Sequence, residues 1–153
     1  MPGKYYEAFD VGETIEHEKR RTVSEADNQR FCDLTMNQQS LHLDADFAAD
    51  TEFGERVVNG LYTMSLAVGL SIPDTTDGTI VANLSYDDVE HPAPVYHGDT
   101  IRAESTVLDK RETSDGDRGV VTMRVEAYRD ETLVCSFERA VLSLKRPENR
   151  DGE

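Results

Sequence analysis

A lone histidine, His42, stands inside the polar stretch TMNQQSLHLD at positions 35–44. Histidine is the side chain whose unperturbed pKa lies nearest neutrality, so it can take a proton and give it back under ordinary conditions. Asn37 lies five residues earlier, close enough for both to face one small site across a bend. Its amide can orient a water as donor or acceptor but cannot take the proton. Leu41 and Leu43 flank the histidine with apolar groups that can hold the ring. Further on, Val58, Asn59 and Gly60 lead into the apolar run LYTMSLAVGLS at 61–71. A helix starting there presents free amide donors and the positive end of its dipole, which suit a developing oxyanion. Gly60 lets a substrate carbonyl approach the backbone closely. His42, Asn37 and Gly60 together therefore suit proton transfer beside an oxyanion. His17, His91 and His97 read as structural. No pair of histidines has HxH or HExxH spacing, so no metal is expected. Asp33 reads as surface charge and Asp44 as a helix cap.

Those groups need elements to hold them. Ser24 with Asp27 three residues later starts a helix over 24–35 with a capping-box pattern. Asp44 caps a second short helix over 45–50. The run 61–71 has no polar face, which predicts a helix buried on every side and ended by Pro73. The second half of the chain changes period. Strands are predicted over 79–86, 100–109, 119–128 and 133–144. Ile101, Ala103, Ser105 and Val107 alternate with polar residues, as do Val121, Met123 and Val125. Such alternation gives each strand one wet and one packed face, as in an antiparallel sheet. SDGDR at 114–118 and RDET at 129–132 are turns between strands. The expected architecture is α+β: one domain over 1–153, an antiparallel sheet wrapped around a central buried helix, with a frayed tail over 146–153.

Composition narrows the partners. The chain has 153 residues, 31 acidic against 16 basic, for a formal net charge of −15. Nucleic acid and anionic membrane are unsuitable partners for such a surface. No signal-type run and no stretch of about 20 apolar residues is present, so a cytoplasmic protein is expected. Cys32 and Cys135 fit no zinc or CxxC pattern and read as buried thiols. Dense carboxylates with few lysines suit concentrated salt, where the Debye length is only ~3 Å at 1 M. A halophilic source is the expectation.

The order TMN-x-x-x-LH-x-D, then FGERVVNG, then YDDVEHPAPVYHGDTI resembles the MaoC-like dehydratase family, over roughly residues 6–146. In that family a D-x-N-P-x-H-x-D stretch precedes a VHG-type turn into the central helix of a hot-dog fold. Here the aspartate position holds Asn37, and the VHG histidine is Asn59. The segments VLDKRET (107–113) and CSFERAVL (135–142) are similar to the subgroup that hydrates mesaconyl-, itaconyl- or other methyl-branched enoyl-CoA thioesters. The resemblance implies reversible hydration of a short enoyl-CoA, with CoA as part of the substrate and no separate cofactor. His42 would be general acid and base, Asn37 the water-positioner, and the Gly60 amide the oxyanion donor. Asn59, Tyr62, Arg56 and Arg111 would contact the substrate. The arginines, with Lys110 and Arg146, are placed to meet CoA phosphates, and Tyr62, Met64 and Val68 to set the acyl pocket. A homodimer or dimer of dimers is implied, with sites at the subunit interface. Two alternatives remain: a hot-dog acyl-CoA thioesterase, although 61–71 holds no Asp or Glu, and a non-catalytic acyl-CoA-binding protein.

Overall fold

The alternating half of the chain forms a single antiparallel sheet in the computed structural model, which describes residues 3–150. Among them the strands are β1 (Thr14–Glu16), β2 (Arg21–Thr22), β3 (Ile80–Glu90), β4 (Thr100–Glu112), β5 (Arg118–Arg129) and β6 (Thr132–Leu144). They lie in the order β1-β4-β5-β6-β3, with β2 also paired to β4. The helices are α1 (Glu25–Thr35), α2 (Ser40–Leu43), α3 (Ala45–Ala49) and α4 (Gly60–Thr75). The inward residues of β4, β5 and β6 alternate as the sequence predicts, and Ile101, Ala103, Val125, Ala127, Cys135 and Phe137 pack under Ala67 and Leu70 of α4. This is the expected α+β hot-dog arrangement. Burial pushes the Cys135 thiol up to about 11, and both cysteines are free.

Local chemistry sets the helix starts. Ser24 Oγ accepts the Asp27 N–H, and Asp27 accepts the Ser24 N–H in return, so the capping box is closed at both ends. The Arg21 guanidinium grips the same Asp27 carboxylate at 2.7 and 3.1 Å and holds it far below the usual carboxylate range. Asp44 Oδ1 accepts the N–H groups of Asp46 and Phe47 and so caps α3.

Four features differ from expectation. Pro73 does not end α4, which runs two residues further to Thr75. The missing proline N–H falls in the last turn, where other bonds hold the chain: Thr75 Oγ1 donates to the Ser71 carbonyl, and the Lys4 N–H donates to the Thr75 carbonyl. Nor is α4 buried all round. Thr63, Ala67, Leu70, Ser71 and Thr75 form a buried stripe, while Leu61 is 54% exposed on the opposite side. β3 outruns its predicted end at Tyr86 by passing through a bulge in which Asp88 takes a φ of 52°. The predicted tail is also tied down as far as it is described. Arg146 N–H and the Asn149 side-chain amide both donate to Glu7, and residues Pro147–Asn149 form a 3-10 turn. Residues 151–153 lie outside the described part.

His17 is a buried tie. Its Nδ1 lies 2.7 Å from Asp74 Oδ2 and its Nε2 2.8 Å from Ser105 Oγ. The order Ser–His–Asp has the look of a nucleophile relay, but Ser105 is 0% exposed, so its hydroxyl is closed off from a substrate. Its work is to join α4 to the sheet.

Candidate functional site

His42 sits on the single turn of α2, half-buried, with Val57 across from it. The Val57 N–H donates to the Leu41 carbonyl at 3.2 Å, and His42 Nδ1 lies 2.7 Å from the Val57 carbonyl. A carbonyl can only accept, so Nδ1 carries the proton and Nε2 is the basic nitrogen of the neutral ring. Residues 57–58 run beside 95–96, through the Val57–Tyr96 bridge and the Val58 N–H to Val95 carbonyl bond of 2.8 Å. That partner strand is braced by its own turn: Gly98 takes a φ of 95°, and Asp99 Oδ2 accepts the Tyr96 N–H at 2.9 Å. The PAPVYHGDT segment thus fixes the height of Val57, and Val57 fixes the imidazole.

The imidazole lines a cavity of ≈ 380 Å³, whose wall also includes Phe53, Gly60, Thr63, His91 and the run Pro92–Val95. That volume is in the range of small-ligand sites. Gly60 is the first residue of α4, where backbone amides have no partner within the helix. A Cβ on Gly60 would lie 3.0 Å from the His91 Cε1 and 3.1 Å from its Nδ1, so the His91 ring rests directly on this glycine. No Asp or Glu lines the cavity, although the chain carries 31 of them. Among the described residues no group of three potential metal ligands gathers.

His42 and Gly60 are therefore brought together, and His91, read from sequence as structural, joins them. The other predicted site residues stand elsewhere. Asn37 is half-buried outside the cavity wall, where it accepts from the Gln39 side chain at 3.2 Å. Asn59 is 2% exposed and turned inward: its Oδ1 caps the Leu61 N–H and its Nδ2 meets Cys32 Sγ. Tyr62 packs edge-on to Phe31 in a separate hollow with Arg21 and Asp27. Arg56 pairs with Glu25 at 3.0 Å. Arg111 is ten residues along β4 from Ile101, about 33 Å at strand rise.

The residue that sequence reasoning missed is Asn28. It is 1% exposed. Its Oδ1 accepts the Asn59 N–H at 2.9 Å, and its Nδ2 lies 3.2 Å from both the His42 carbonyl and His97 Nε2. The Asn59 N–H can only donate and the His42 carbonyl can only accept, so the amide orientation is settled. His97 Nε2 must then accept, which makes His97 neutral. Burial, reinforced by nearby Arg56, holds the His97 pKa below its ordinary value. The sign follows from linkage: the folded state binds the proton less readily than the unfolded state. Stability from this group is complete above about pH 6.5, the unfolded value, and is lost as pH falls through that value towards the lower folded one. Thermal melts from pH 7.5 down to 5.5 should therefore show a falling midpoint. The His97→Gln variant, whose carbonyl can still accept from Asn28, should show a flatter profile. An unchanged slope in that variant removes His97 from the account.

A tautomer-locked imidazole in a cavity beside a helix N-terminus, under a curled antiparallel sheet, marks a hot-dog protein with a cavity of small-molecule size. The family model described as MaoC like domain matches residues 8–129, and the chain belongs to that family. It is 34% identical over 145 residues to mesaconyl-CoA hydratase of Cereibacter sphaeroides, covering 94% of this chain and 42% of that protein. It is 31% identical over 149 residues to β-methylmalyl-CoA dehydratase of Chloroflexus aurantiacus, covering 97% and 42%. The X-ray structure of the monoamine oxidase regulatory protein from Archaeoglobus fulgius superposes with a TM-score of 0.85 at 32% identity, covering 96% of this chain and 98% of that one. The chain thus spans less than half the length of the two curated relatives.

Proposed function

We propose that this chain reversibly hydrates a short, methyl-branched enoyl-CoA of the mesaconyl-CoA/β-methylmalyl-CoA type. The observation that carries the reading is the His42 lock: Nδ1 is committed to the Val57 carbonyl, which leaves Nε2 basic in the same cavity as the Gly60 amide. His42 Nε2 takes a proton from water as the water oxygen bonds to Cβ. The C=C π electrons move towards the thioester carbonyl, whose oxygen gains charge and is met by the Gly60 N–H. The proton on Nε2 then passes to Cα, so one water is added across the double bond and His42 returns to its starting form. Asn37, outside the cavity wall, takes no part in this scheme. The names of the relatives support the substrate class. Incubation with mesaconyl-CoA and crotonyl-CoA tests it: loss of the enoyl absorbance is the expected result. Release of free thiol would instead mean a thioesterase, and binding without either change an acyl-CoA-binding protein. The net charge of −15 supports a cytosol of high salt, so the assay belongs at molar salt.

Two copies pairing through β3 complete this reading. β3 is an edge strand of 11 residues. It leaves Val81, Leu84, Tyr86 and Val89 each about two-fifths exposed or more. An exposed apolar edge is a template for another strand, and His91 of the cavity wall follows β3 directly. The expected mass in molar salt is that of two subunits, or of four if dimers pair. Leu84→Lys on the edge should shift it to one subunit. A one-subunit mass for the unaltered protein overturns the pairing.

A further inference from the structure

Hydroxyls on helices often return a hydrogen bond to the preceding turn, and three in this chain do. Thr35 Oγ1 donates to the Phe31 carbonyl at 2.8 Å, Ser71 Oγ to Val68 at 2.6 Å, and Thr75 Oγ1 to Ser71 at 2.7 Å. Thr63 does not. It is 2% exposed and its Oγ1 has no partner among the described residues. The carbonyl it would return to, that of Asn59, already receives the N–H groups of Tyr62 and Thr63. Burying a hydroxyl without a partner is unfavourable, and native folds keep such groups where something else satisfies them. Other buried atoms share this condition: Thr76 Oγ1, Arg139 Nη1 and Ser143 Oγ. Of them all, Thr63 alone lies in the wall of the His42 cavity.

The position of Thr63 says what would satisfy it. It follows Gly60 by three residues, so it lies on the same face of α4. Three residues of helix rise about 4.5 Å, so the Thr63 backbone stands that far along the axis from Gly60, in the same cavity wall. In an enoyl thioester, the atom attached to Cβ is four bonds from the carbonyl oxygen, about 4–5 Å away by ordinary bond lengths. A carbonyl oxygen at the Gly60 amide therefore brings the Cβ substituent to Thr63. The surroundings favour a negative one. The cavity wall holds no carboxylate, its ionisable side chains are His42 and His91, and the positive end of α4 opens into it.

We propose that Thr63 Oγ1 is the specificity-determining donor for a carboxylate carried on Cβ of the substrate. The inference rests on the hydratase reading for its placement of the thioester. A mesaconyl thioester has a carboxylate at that atom, whereas a crotonyl thioester has a methyl group. A hydroxyl donating to a carboxylate makes a charge-assisted bond, while against a methyl group it stays unpartnered.

The test is the ratio of kcat/KM for mesaconyl-CoA to that for crotonyl-CoA in the unaltered protein, Thr63→Val and Thr63→Ser. Valine keeps the shape and removes the hydroxyl. In Thr63→Val the ratio should fall about 10- to 100-fold, the range for a hydrogen bond to a charged group. Thr63→Ser should keep most of the preference. The ligand-free Thr63→Val protein should melt no lower than the original, because the lost hydroxyl had no partner in the fold. An unchanged ratio in Thr63→Val overturns the proposal, and so does a lowered ligand-free melting point. If the unaltered protein hydrates neither thioester, the hydratase reading falls separately. Calorimetry then decides: weaker mesaconyl-CoA binding by Thr63→Val relative to crotonyl-CoA upholds the donor, and equal changes overturn it.

Discussion

His42→Ala should lower kcat/KM for enoyl-CoA hydration by about 10³-fold, within the 10²–10⁴ typical of a positioned acid–base group. The same nitrogen is asked to remove a proton from water and to deliver it to Cα, and the only other titratable side chain in the cavity wall is His91. Most of the loss should fall on kcat, because the imidazole contributes chiefly once the proton is in flight. The fold should survive. His42 is half-buried on a one-turn helix, and the hydrogen bond that disappears leaves the Val57 carbonyl at a cavity where water can replace it. Circular dichroism and a melt of the variant check that point, and enoyl absorbance gives the rate. Turnover near that of the unaltered protein would move the chemistry to His91, whose ring rests on Gly60.

Asn28→Ala should be the most damaging substitution to stability outside the hydrophobic core. One amide joins four parts of the chain: α1, which carries it, the carbonyl of His42, the turn at His97, and the Asn59 N–H at the entry to α4. Alanine leaves the buried Asn59 N–H without an acceptor and opens a void at a residue that is 1% exposed. An unpaired buried polar group costs about 1–3 kcal/mol, and with the lost packing the total is about 3–4 kcal/mol. For a chain of this size the melting point should drop by roughly 6–15 °C. Activity should fall as well, since both the His42 backbone and the residue before Gly60 lose their common anchor. A drop of less than about 2 °C would mean that water fills the site without penalty.

Much of the positioning frame could be read directly from residue order. Ser24 and Asp27 announce α1 because a capping box needs only neighbours three residues apart. Asp44 announces α3 for the same reason. The alternation of Ile101, Ala103, Ser105 and Val107 assigns β4 and its inward face, since a strand has a period of two wherever one side is packed. Local rules fail where distant parts decide. Pro73 signals a helix end, yet bonds from the N-terminal segment carry α4 past it. β1 and β2 are too short and too charged to show a period, and exist because β4 offers them an edge. β3 runs past its predicted end at Tyr86 because β6 holds it to register across the bulge at Asp88.

The candidate site divides in the same way. The sequence by itself determined the family frame, the four long strands, and the pairing of His42 with a glycine at the head of an apolar helix. These depend on spacing along one stretch of chain. Tertiary structure alone decided which nitrogen of His42 is basic, because that rests on a carbonyl 15 residues away. It alone turned Asn59 inward, brought His91 onto Gly60, and made Asn28 a junction with partners as far as 69 residues off. It alone left Thr63 without a partner. A side chain's type states which bonds it is able to make, while the packing of remote elements determines which of them it does make.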